Sequence, residues 1–196
     1  MLRRNLLAAV LAVTLAPVAA FAEQHGTSAM PLLEIDVAGE ATGTIRIQLR
    51  PDLAPGHVER VITLAERGAY DNVVFHRVID GFMAQTGDVQ FGVRGGDTSR
   101  AGMGGSELPD LAAEFTDAPF ARGVMGMARS RAPNSANSQF FLMFEPAPHL
   151  DTQYTVVGEI IDGLDVLDAI HRGRGPNGAM TDEPDYMADV RVVMPD

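Results

Sequence analysis

Cysteine and lysine are absent from this sequence, and positive charge as a whole is scarce. Without cysteine the chain cannot form disulfides, thiolate metal sites or a cysteine nucleophile, and lipid cannot be attached through a thiol. Every basic residue is an arginine, which we interpret as a bias of the source genome rather than a functional signal. The five histidines lie without the close spacing of paired metal ligands, so no metal site is predicted.

The chain has 26 acidic residues against 15 basic ones, and its formal net charge is −11. Phosphate backbones bind to basic surfaces, so nucleic acid is disfavoured as a partner. The length of 196 residues suits one domain with a single core, and an apolar fraction of 46% is ordinary for a soluble globular protein. Composition therefore indicates one soluble domain that does not bind nucleic acid.

Long hydrophobic runs are also missing, apart from one at the start of the chain. Residues 1–22 combine two early arginines, an apolar run over residues 6–16 and an Ala-Phe-Ala end. About 20 apolar residues are needed to cross a bilayer, and Pro17 interrupts a shorter run. The pattern predicts a cleavable secretory signal peptide that ends near Ala22. The paired arginines also resemble a twin-arginine signal, although the general secretory route is favoured.

Removal of this segment would leave the mature chain in the periplasm, with no stable membrane insertion. We expect a flexible segment over residues 23–31 and a single folded domain over residues 32–196. Neither an internal repeat nor an interdomain linker divides that domain.

Short segments of alternating or β-branched residues predominate in the domain and predict strands. Two stretches with apolar residues at helical spacing, 52–68 and 164–171, predict helices. Short strands with only two helices imply an all-β barrel or sandwich with helical caps. The predicted strands are residues 32–37, 44–49, 73–79, 82–86, 123–128, 139–144, 154–161 and 190–194.

Two stretches are rich in glycine. Residues 92–105 lack the Gly-Lys-Ser/Thr signature and the strand-to-helix context of a phosphate loop, so backbone freedom beside a binding groove is the better interpretation. Residues 173–185 combine glycine, proline and asparagine, and we expect this loop to be ordered only by contacts at its ends.

Strands 73–79 and 82–86 are joined across Asp80-Gly81, a dipeptide that favours a tight turn. Alternation along the first strand puts Phe75, Arg77 and Ile79 on one face and His76 with Val78 on the other. The return strand then brings Gln85 towards Arg77 among apolar neighbours. A guanidinium and a carboxamide are not nucleophiles, so this hairpin favours polarisation of a carbonyl or amide group over bond cleavage.

The hairpin carries the run Phe-His-Arg-Val-Ile-Asp-Gly-Phe-Met-Ala-Gln-Thr-Gly-Asp at residues 75–88. With Met-Ala, Pro-Asn-Ser and Ser-Gln-Phe-Phe inside residues 127–141, and His-Leu-Asp leading into Tyr-Thr-Val-Val-Gly inside residues 149–158, it resembles the cyclophilins, the peptidyl-prolyl cis-trans isomerases. The resemblance covers nearly everything from residue 32 onward. It implies a closed eight-stranded antiparallel barrel with a helix over each end and the active groove on its outer face.

The resemblance also implies roles for individual residues. Arg77 would be the cation at the prolyl group, and Gln85 would bind the substrate backbone. Ala128 would offer a backbone contact at the groove, and Gln139 would be a supporting polar group of the substrate site. The proline pocket would be formed by Phe82, Met83, Phe141 and Leu150.

Three positions depart from the common family pattern. His149 stands where many members carry tryptophan, and Tyr154 stands where many carry histidine, both in the substrate site. The loss of the indole implies weak or no binding of cyclosporin. Arg129 occupies a position often held by asparagine, so substrate backbone contacts there are expected to differ.

Other polar and aromatic residues near the motif have simpler interpretations. Phe75 and Phe140 are expected to be plain core residues, and His76 is expected to be hydrogen-bonded in a structural role, because isomerisation transfers no proton. A hydrolase built on Ser106 or Ser138 is disfavoured, since no Gly-x-Ser-x-Gly elbow occurs.

These features predict a monomeric enzyme that isomerises Xaa-Pro bonds in unfolded or partly folded exported polypeptides, without a cofactor. The alternative is a proline-binding chaperone or interaction module with little turnover. Arg77 favours the enzyme, because a binding module needs the pocket but not the polarising cation.

Overall fold

A single antiparallel sheet of nine strands organises the part of the chain that the computed structural model describes, residues 30–194. Its strand order is β3-β9-β1-β2-β8-β6-β7-β5-β4, and two α-helices pack against it. The strands are β1 (Leu32–Ala38), β2 (Gly43–Leu49), β3 (Val73–Val74), β4 (Arg77–Ile79), β5 (Met83–Thr86), β6 (Val124–Met127), β7 (Phe140–Met143), β8 (Val156–Asp162) and β9 (Tyr186–Val193). The helices are α1 (Pro55–Glu66) and α2 (Leu164–Ala169).

Some predicted features lie outside the described residues. The predicted signal peptide at residues 1–22 does so completely, as does nearly all of the segment 23–31. Over residues 30–194 no helix has both the length and the apolar character needed to cross a bilayer.

The opening hairpin forms as its alternating sequence predicts. In β1 the residues Leu33, Ile35 and Val37 point into the core, and β2 pairs with it so that Ile35 lies opposite Ile45. Because side chains alternate along a strand, one face of each strand is apolar and buried while the other carries the polar residues. The six inward side chains of this hairpin belong to the main core.

Helix α1 begins at Pro55, a residue that suits the first helical turn because it has no N–H to satisfy there. No side chain of the preceding residue caps the helix; instead Glu114 accepts hydrogen bonds from the backbone N–H groups of Gly56 and His57, at 3.1 and 3.0 Å. This cap comes from a residue 58 positions away from Gly56, which local sequence patterns do not reveal. Apolar residues of α1 face the main core, and the helix packs against β9.

The predicted strand 73–79 is divided in two, which is why nine strands are present rather than eight. Val73 and Val74 pair with β9, whereas Arg77 and the two residues after it pair with β5. Between them the N–H of Phe75 donates to the Asp185 carbonyl at 2.8 Å. The chain changes its neighbour at this point, so the hydrogen-bond ladder is interrupted.

The interruption also shifts the alternation of side chains. Phe75 lies in the main core together with Val78, whereas Ile79 packs with a second apolar cluster. The prediction that Phe75 shares the face of Arg77 is therefore wrong, because the strict period of two holds only within an unbroken strand. Its prediction as a core residue is confirmed, as is that of Phe140.

The sheet carries apolar side chains on both faces around β5 and β7. Ala84 and Leu142 belong to the main core, while their strand neighbours Met83 and Phe141 belong to the second cluster. Neighbouring residues of one strand point to opposite faces, so the second cluster lies on the outer face of the sheet. That outer cluster forms the floor of the candidate site.

Candidate active site

The hairpin of β4 and β5 sets the geometry of the site. Its turn is closed by a hydrogen bond of 3.0 Å from the Phe82 N–H to the Ile79 carbonyl, and Gly81 has a φ of 65°. A positive φ at the third position of such a turn suits glycine, as the Asp80-Gly81 pattern predicts. The resulting register places Arg77 directly opposite Gln85.

Arg77 is held by two neutral groups. Its Nη1 donates to Gln85 Oε1 at 3.1 Å, and its Nε donates to the backbone carbonyl of Asn177 at 3.0 Å. Burial lowers the pKa of Arg77 below its usual value, yet a guanidinium stays protonated in proteins. No carboxylate in residues 30–194 forms an ion pair with it, so its charge is directed at the site without compensation.

A chain of amides fixes the orientation of Gln85. Gln85 Nε2 donates to Gln139 Oε1 at 2.9 Å, and Gln139 Nε2 donates to the Gly104 carbonyl at 2.8 Å. Because the amide nitrogen of Gln85 must face Gln139 to make this bond, its Oε1 atom faces Arg77. Gln139 therefore supports the site from behind, in the place that its predicted supporting role requires.

The loop 173–185 contributes more than its sequence indicates. Arg77 forms an isolated bridge with Ala179, and the Met180 N–H donates to the His76 carbonyl at 3.2 Å. Asn177 has a φ of 54°, the left-handed conformation that asparagine tolerates better than most residues. The expectation that this loop is ordered only at its ends is wrong, because its middle is bonded to β4 and holds Arg77.

Beside Arg77 lies a cavity of about 330 Å³, here called the proline pocket. Nine of the ten predicted site residues line it, and the tenth, Gln139, lines the adjoining cavity. The ring centroids of Phe82 and His149 are 5.7 Å apart at one side, and Tyr154 meets Phe141 edge-on at 5.9 Å. The lining residues are Arg77, Phe82, Met83, Gln85, Ala128, Arg129, Phe141, His149, Leu150 and Tyr154.

Sequence patterns did not identify two residues that lie behind the pocket, Phe120 and Gly126. Phe120 stacks on Phe141 with 5.8 Å between ring centroids and is itself buried. A Cβ at Gly126 would come within 2.6 Å of both rings, so only glycine leaves room for them. The position of Phe141 in the pocket thus depends on a glycine in β6, and a glycine inside a strand is the sequence signal that indicates such a close approach.

The adjoining cavity has a volume of about 390 Å³ and is here called the glycine-rim cavity, because Gly102, Gly104 and Gly105 form part of its wall. Asp88, which is fully buried, holds this wall: its Oδ2 accepts from the N–H groups of Gly102 and Gly104 at 2.7 and 2.9 Å. The prediction that the glycine-rich stretch borders a binding groove agrees with this arrangement.

Within the described residues, Ser106 and Ser138 do not assemble a hydrolytic triad. Ser138 is buried and its Oγ donates to the Gly87 carbonyl, while the Ser106 Oγ donates to Asn137 Oδ1, both at 2.7 Å. Neither hydroxyl bonds to a histidine among residues 30–194, so neither serine has the general base that a nucleophile needs.

His76 matches its expected role only in part. Its side chain is 9% exposed, and neither ring nitrogen has a hydrogen-bond partner within the described part of the chain. His76 thus has the buried, structural position that was expected, but no hydrogen bond of normal geometry to its ring accompanies it. Burial of the ring lowers the pKa of His76 from 6.5 to about 4, because the charged form loses its hydration.

This burial predicts a pH dependence of stability. The folded protein holds His76 neutral, whereas the unfolded chain takes up a proton near pH 6.5, so the stabilisation is complete above pH 6.5 and is lost as the pH falls from there towards 4. Between pH 7 and pH 5.5 we expect the free energy of unfolding to fall by about 1 kcal/mol through this residue.

Urea unfolding at both pH values measures that loss, and His76→Gln is the matched variant because glutamine is polar and does not titrate. The variant should lose less stability than the parent over the same interval, while the other histidines contribute equally to both. Equal losses in the two proteins would contradict the prediction.

Within residues 30–194, Arg77 has no acidic partner and lies beside an apolar pocket, and neither Ser106 nor Ser138 bonds to a histidine. This arrangement fits binding and polarisation of a peptide better than its cleavage. Comparison with known proteins agrees: residues 32–192 match the family described as cyclophilin type peptidyl-prolyl cis-trans isomerase/CLD. The chain belongs to this family and is a peptidyl-prolyl cis-trans isomerase.

Relatives and solved structures show how far the similarity extends. A probable peptidyl-prolyl cis-trans isomerase of Brucella suis biovar 1 is 52% identical over 152 residues, which are 76% of this chain and 78% of the relative. Peptidyl-prolyl cis-trans isomerase-like 3 of Gallus gallus is 40% identical over 130 residues, 66% of this chain and 77% of that protein.

A cyclophilin from Hirschia baltica has a TM-score of 0.66 and 26% identity, covering 83% of this chain and 73% of its own. A cyclophilin type isomerase of Cryptosporidium parvum, crystallised in the presence of the dipeptide Ala-Pro, has a TM-score of 0.70 and 24% identity and covers 83% of this chain and 98% of its own.

Proposed function

We propose that this isomerase acts in the periplasm on Xaa-Pro bonds of unfolded or partly folded exported polypeptides, with Arg77 as its polarising cation. The observation that carries the proposal is the uncompensated guanidinium at the edge of the proline pocket. The signal-peptide pattern of residues 1–22 supports export. The Ala-Pro dipeptide present with the Cryptosporidium parvum relative supports a proline-containing substrate.

The chemistry follows from the nature of the prolyl bond. Rotation requires loss of amide resonance, against a barrier of about 20 kcal/mol. In the twisted state the prolyl nitrogen becomes pyramidal and basic, so an N–H group of Arg77 can donate to it more strongly than to the planar amide. The Nη2 atom of Arg77 forms no hydrogen bond to residues 30–194, and it is the donor that we assign to this step.

The other site residues grip the substrate on either side of the rotating bond. Phe82, Met83, Phe141 and Leu150 hold the proline ring, with His149 and Tyr154 at the sides of the pocket. The N–H of Ala128 already donates to the Gln139 carbonyl at 2.9 Å, so the Ala128 carbonyl is the backbone group that remains for the peptide. Gln85 holds Arg77 through its oxygen and can offer its second N–H to the substrate backbone.

Rotation about one bond moves no atoms or electrons between molecules, so the proposed enzyme needs no cofactor. It acts as a monomer, and the absence of an indole at His149 leaves cyclosporin bound weakly or not at all. We further propose that the sheet closes into an eight-stranded barrel when residues 73–79 count as one interrupted strand. Its two edge strands, β3 and β4, are separated only by Phe75 and His76.

The proposal is tested on the full chain expressed in a Gram-negative bacterium. We expect the periplasmic fraction to contain a protein whose mass begins at Glu23, and to accelerate cis-to-trans relaxation of a proline-containing peptide in proportion to the amount of that protein. The same fraction from cells that make Arg77→Ala is the control for host isomerases. An uncleaved protein confined to the cytoplasm would overturn export, and a processed protein without acceleration would favour the alternative of a proline-binding module.

A further inference from the structure

Arg129 lies where the two cavities of the site meet. The proline pocket and the glycine-rim cavity share three lining residues, Gln85, Ala128 and Arg129. A peptide whose proline fills the first cavity and whose neighbouring residues follow the groove must therefore pass Arg129. The sequence predicts altered substrate backbone contacts at Arg129, but only the folded chain shows that this residue borders both cavities.

The side chain of Arg129 is fixed in place by neutral partners. Its Nη2 and Nε donate to the Gln153 carbonyl at 2.8 and 3.2 Å, and its Nη1 donates to the Ser130 carbonyl at 3.0 Å. The guanidinium lies 4.4 Å from the centre of the Tyr154 ring, which also lines the proline pocket. An ordered guanidinium loses little side-chain entropy when a ligand binds to it.

No carboxylate in the described part of the chain forms an ion pair with Arg129. Seven arginines of residues 30–194 form ion pairs with carboxylates, and neither Arg129 nor Arg77 is among them. Among the described residues, the proline pocket is lined by these two arginines and by no acid. The glycine-rim cavity contains one acid, Asp110, whose Oδ1 already accepts from Asn137 Nδ2 at 3.0 Å.

The two cavities together are lined by two arginines and one acid, so the site has a net positive charge on a chain whose net charge is −11. Adjacent residues of an extended peptide are about 3.3 Å apart, so a side chain one or two residues from the bound proline can reach a guanidinium at the pocket edge. A carboxylate there gains a charge-assisted hydrogen bond, whereas an amide gains only a neutral one and a basic side chain is repelled.

We propose that Arg129 makes this enzyme prefer proline segments that carry an aspartate or glutamate within two residues of the proline. The proposal rests on the proposed isomerase site and names the class of substrate that this site selects. Arg129 is in this view a specificity residue, since it contacts the flanking side chain and not the rotating bond.

The test compares matched peptides that carry glutamate or glutamine at each of the two positions before and after proline. For at least one position we expect kcat/KM to be about three- to fivefold higher with glutamate at low ionic strength, the range of a partly exposed ion pair. In about 0.5 M salt the ratio should fall towards one, because exposed charges are screened.

Variants assign the preference to its residue. Arg129→Gln should bring the glutamate-to-glutamine ratio close to one, and Arg129→Lys, which keeps the charge, should leave it above that of the glutamine variant. Arg94→Gln is the control for net charge, because Arg94 is exposed and paired with Glu183 away from both cavities, and its ratio should equal that of the parent. Using a ratio cancels any general loss of activity in a variant.

The possible outcomes distinguish this inference from the proposed isomerase function on which it rests. Isomerisation of all peptides at equal rates would overturn the acidic preference and leave the isomerase intact. A preference that persists in Arg129→Gln, or is equally lost in Arg129→Lys, would overturn the role of the Arg129 charge. Failure to isomerise any peptide would overturn the proposed function itself.

Discussion

Replacement of Arg77 by alanine is expected to lower kcat/KM for a proline-containing peptide by a factor of about 100 to 1000, while the protein stays folded. Preorganised donors that act on charge developing in a transition state have effects of this size, about 3 to 4 kcal/mol. Arg77 directs an uncompensated charge at the pocket, and both of its own partners are neutral. Its loss therefore removes the polarising group without leaving a buried carboxylate unpaired.

The change in stability should be small by comparison. Arg77 is only partly buried, and its replacement leaves one amide oxygen and one carbonyl to be hydrated at the rim of an open pocket. We expect the free energy of unfolding to change by no more than about 1 kcal/mol. Urea unfolding, measured beside the cis-to-trans relaxation assay, separates the two effects.

Two further variants make the result specific. Arg77→Lys keeps the charge, but an ammonium group lacks the planar set of N–H donors that bonds to Gln85, the Asn177 carbonyl and the substrate at once. We therefore expect an intermediate loss of kcat/KM, about tenfold. Arg172→Ala is the matched control: Arg172 bonds to Asp80 in the turn of the same hairpin at 3.1 Å but does not line the pocket. If Arg172→Ala were as inactive as Arg77→Ala, distortion of the hairpin would explain the loss, and the role of Arg77 would have to be abandoned.

Replacement of Asp88 by asparagine is expected to give the second large effect, this time on stability. The two carboxylate oxygens accept four backbone N–H groups, from Gln90, Phe91, Gly102 and Gly104, and the side chain is fully buried. An asparagine turns an N–H donor towards two of these donors. Because unpartnered buried amides cost about 1 to 3 kcal/mol, we expect the free energy of unfolding to fall by about 2 to 4 kcal/mol.

Activity should fall as well, through the wall of the glycine-rim cavity. The Gly104 carbonyl accepts from Gln139, which orients Gln85 and thereby Arg77. Movement of Gly104 would loosen this chain, so kcat of the folded variant should drop while the fluorescence or circular dichroism of the folded state is retained. Assays at a temperature well below the unfolding midpoint keep the loss of activity apart from the loss of stability.

Asp97 lies in the glycine-rich stretch that Asp88 holds in place, and it provides a matched control. Its carboxylate accepts one backbone N–H, from Ser99 at 3.0 Å, and the residue is exposed. Water can replace that single bond, so Asp97→Asn should cost well under about 1 kcal/mol. Similar unfolding midpoints for Asp88→Asn and Asp97→Asn would contradict the structural role of Asp88.

Much of the fold and the site is predictable from local sequence. The opening hairpin, the two helices, the turn at Asp80-Gly81 and the pairing of Arg77 with Gln85 follow from periodicity and turn chemistry. The motif resemblance adds the residues of the proline pocket, since these lie within short continuous blocks of the chain. Their individual catalytic roles remain predictions.

The sequence-based predictions that are wrong, and the contacts that they miss, share one physical origin. The break at Phe75 and His76 arises because residues 73–74 pair with β9, whereas residues 77–79 pair with β5. The carbonyl that holds Arg77 belongs to Asn177, 100 residues away in the chain. Every residue has a backbone carbonyl, so no sequence pattern identifies the one that binds Arg77. Only the folded loop reveals it.

Local sequence patterns predict the class of fold and the pairing of Arg77 with Gln85, because these depend on side-chain chemistry and on short-range periodicity, and the family resemblance implies which residues line the apolar pocket. The folded chain alone reveals where the strand is interrupted, how the Gln139 and Gln85 amides are oriented, and that Arg129 borders both cavities with no acidic partner among residues 30–194. These features depend on contacts between distant segments, whose distances and charges are set only when the sheet brings the segments together.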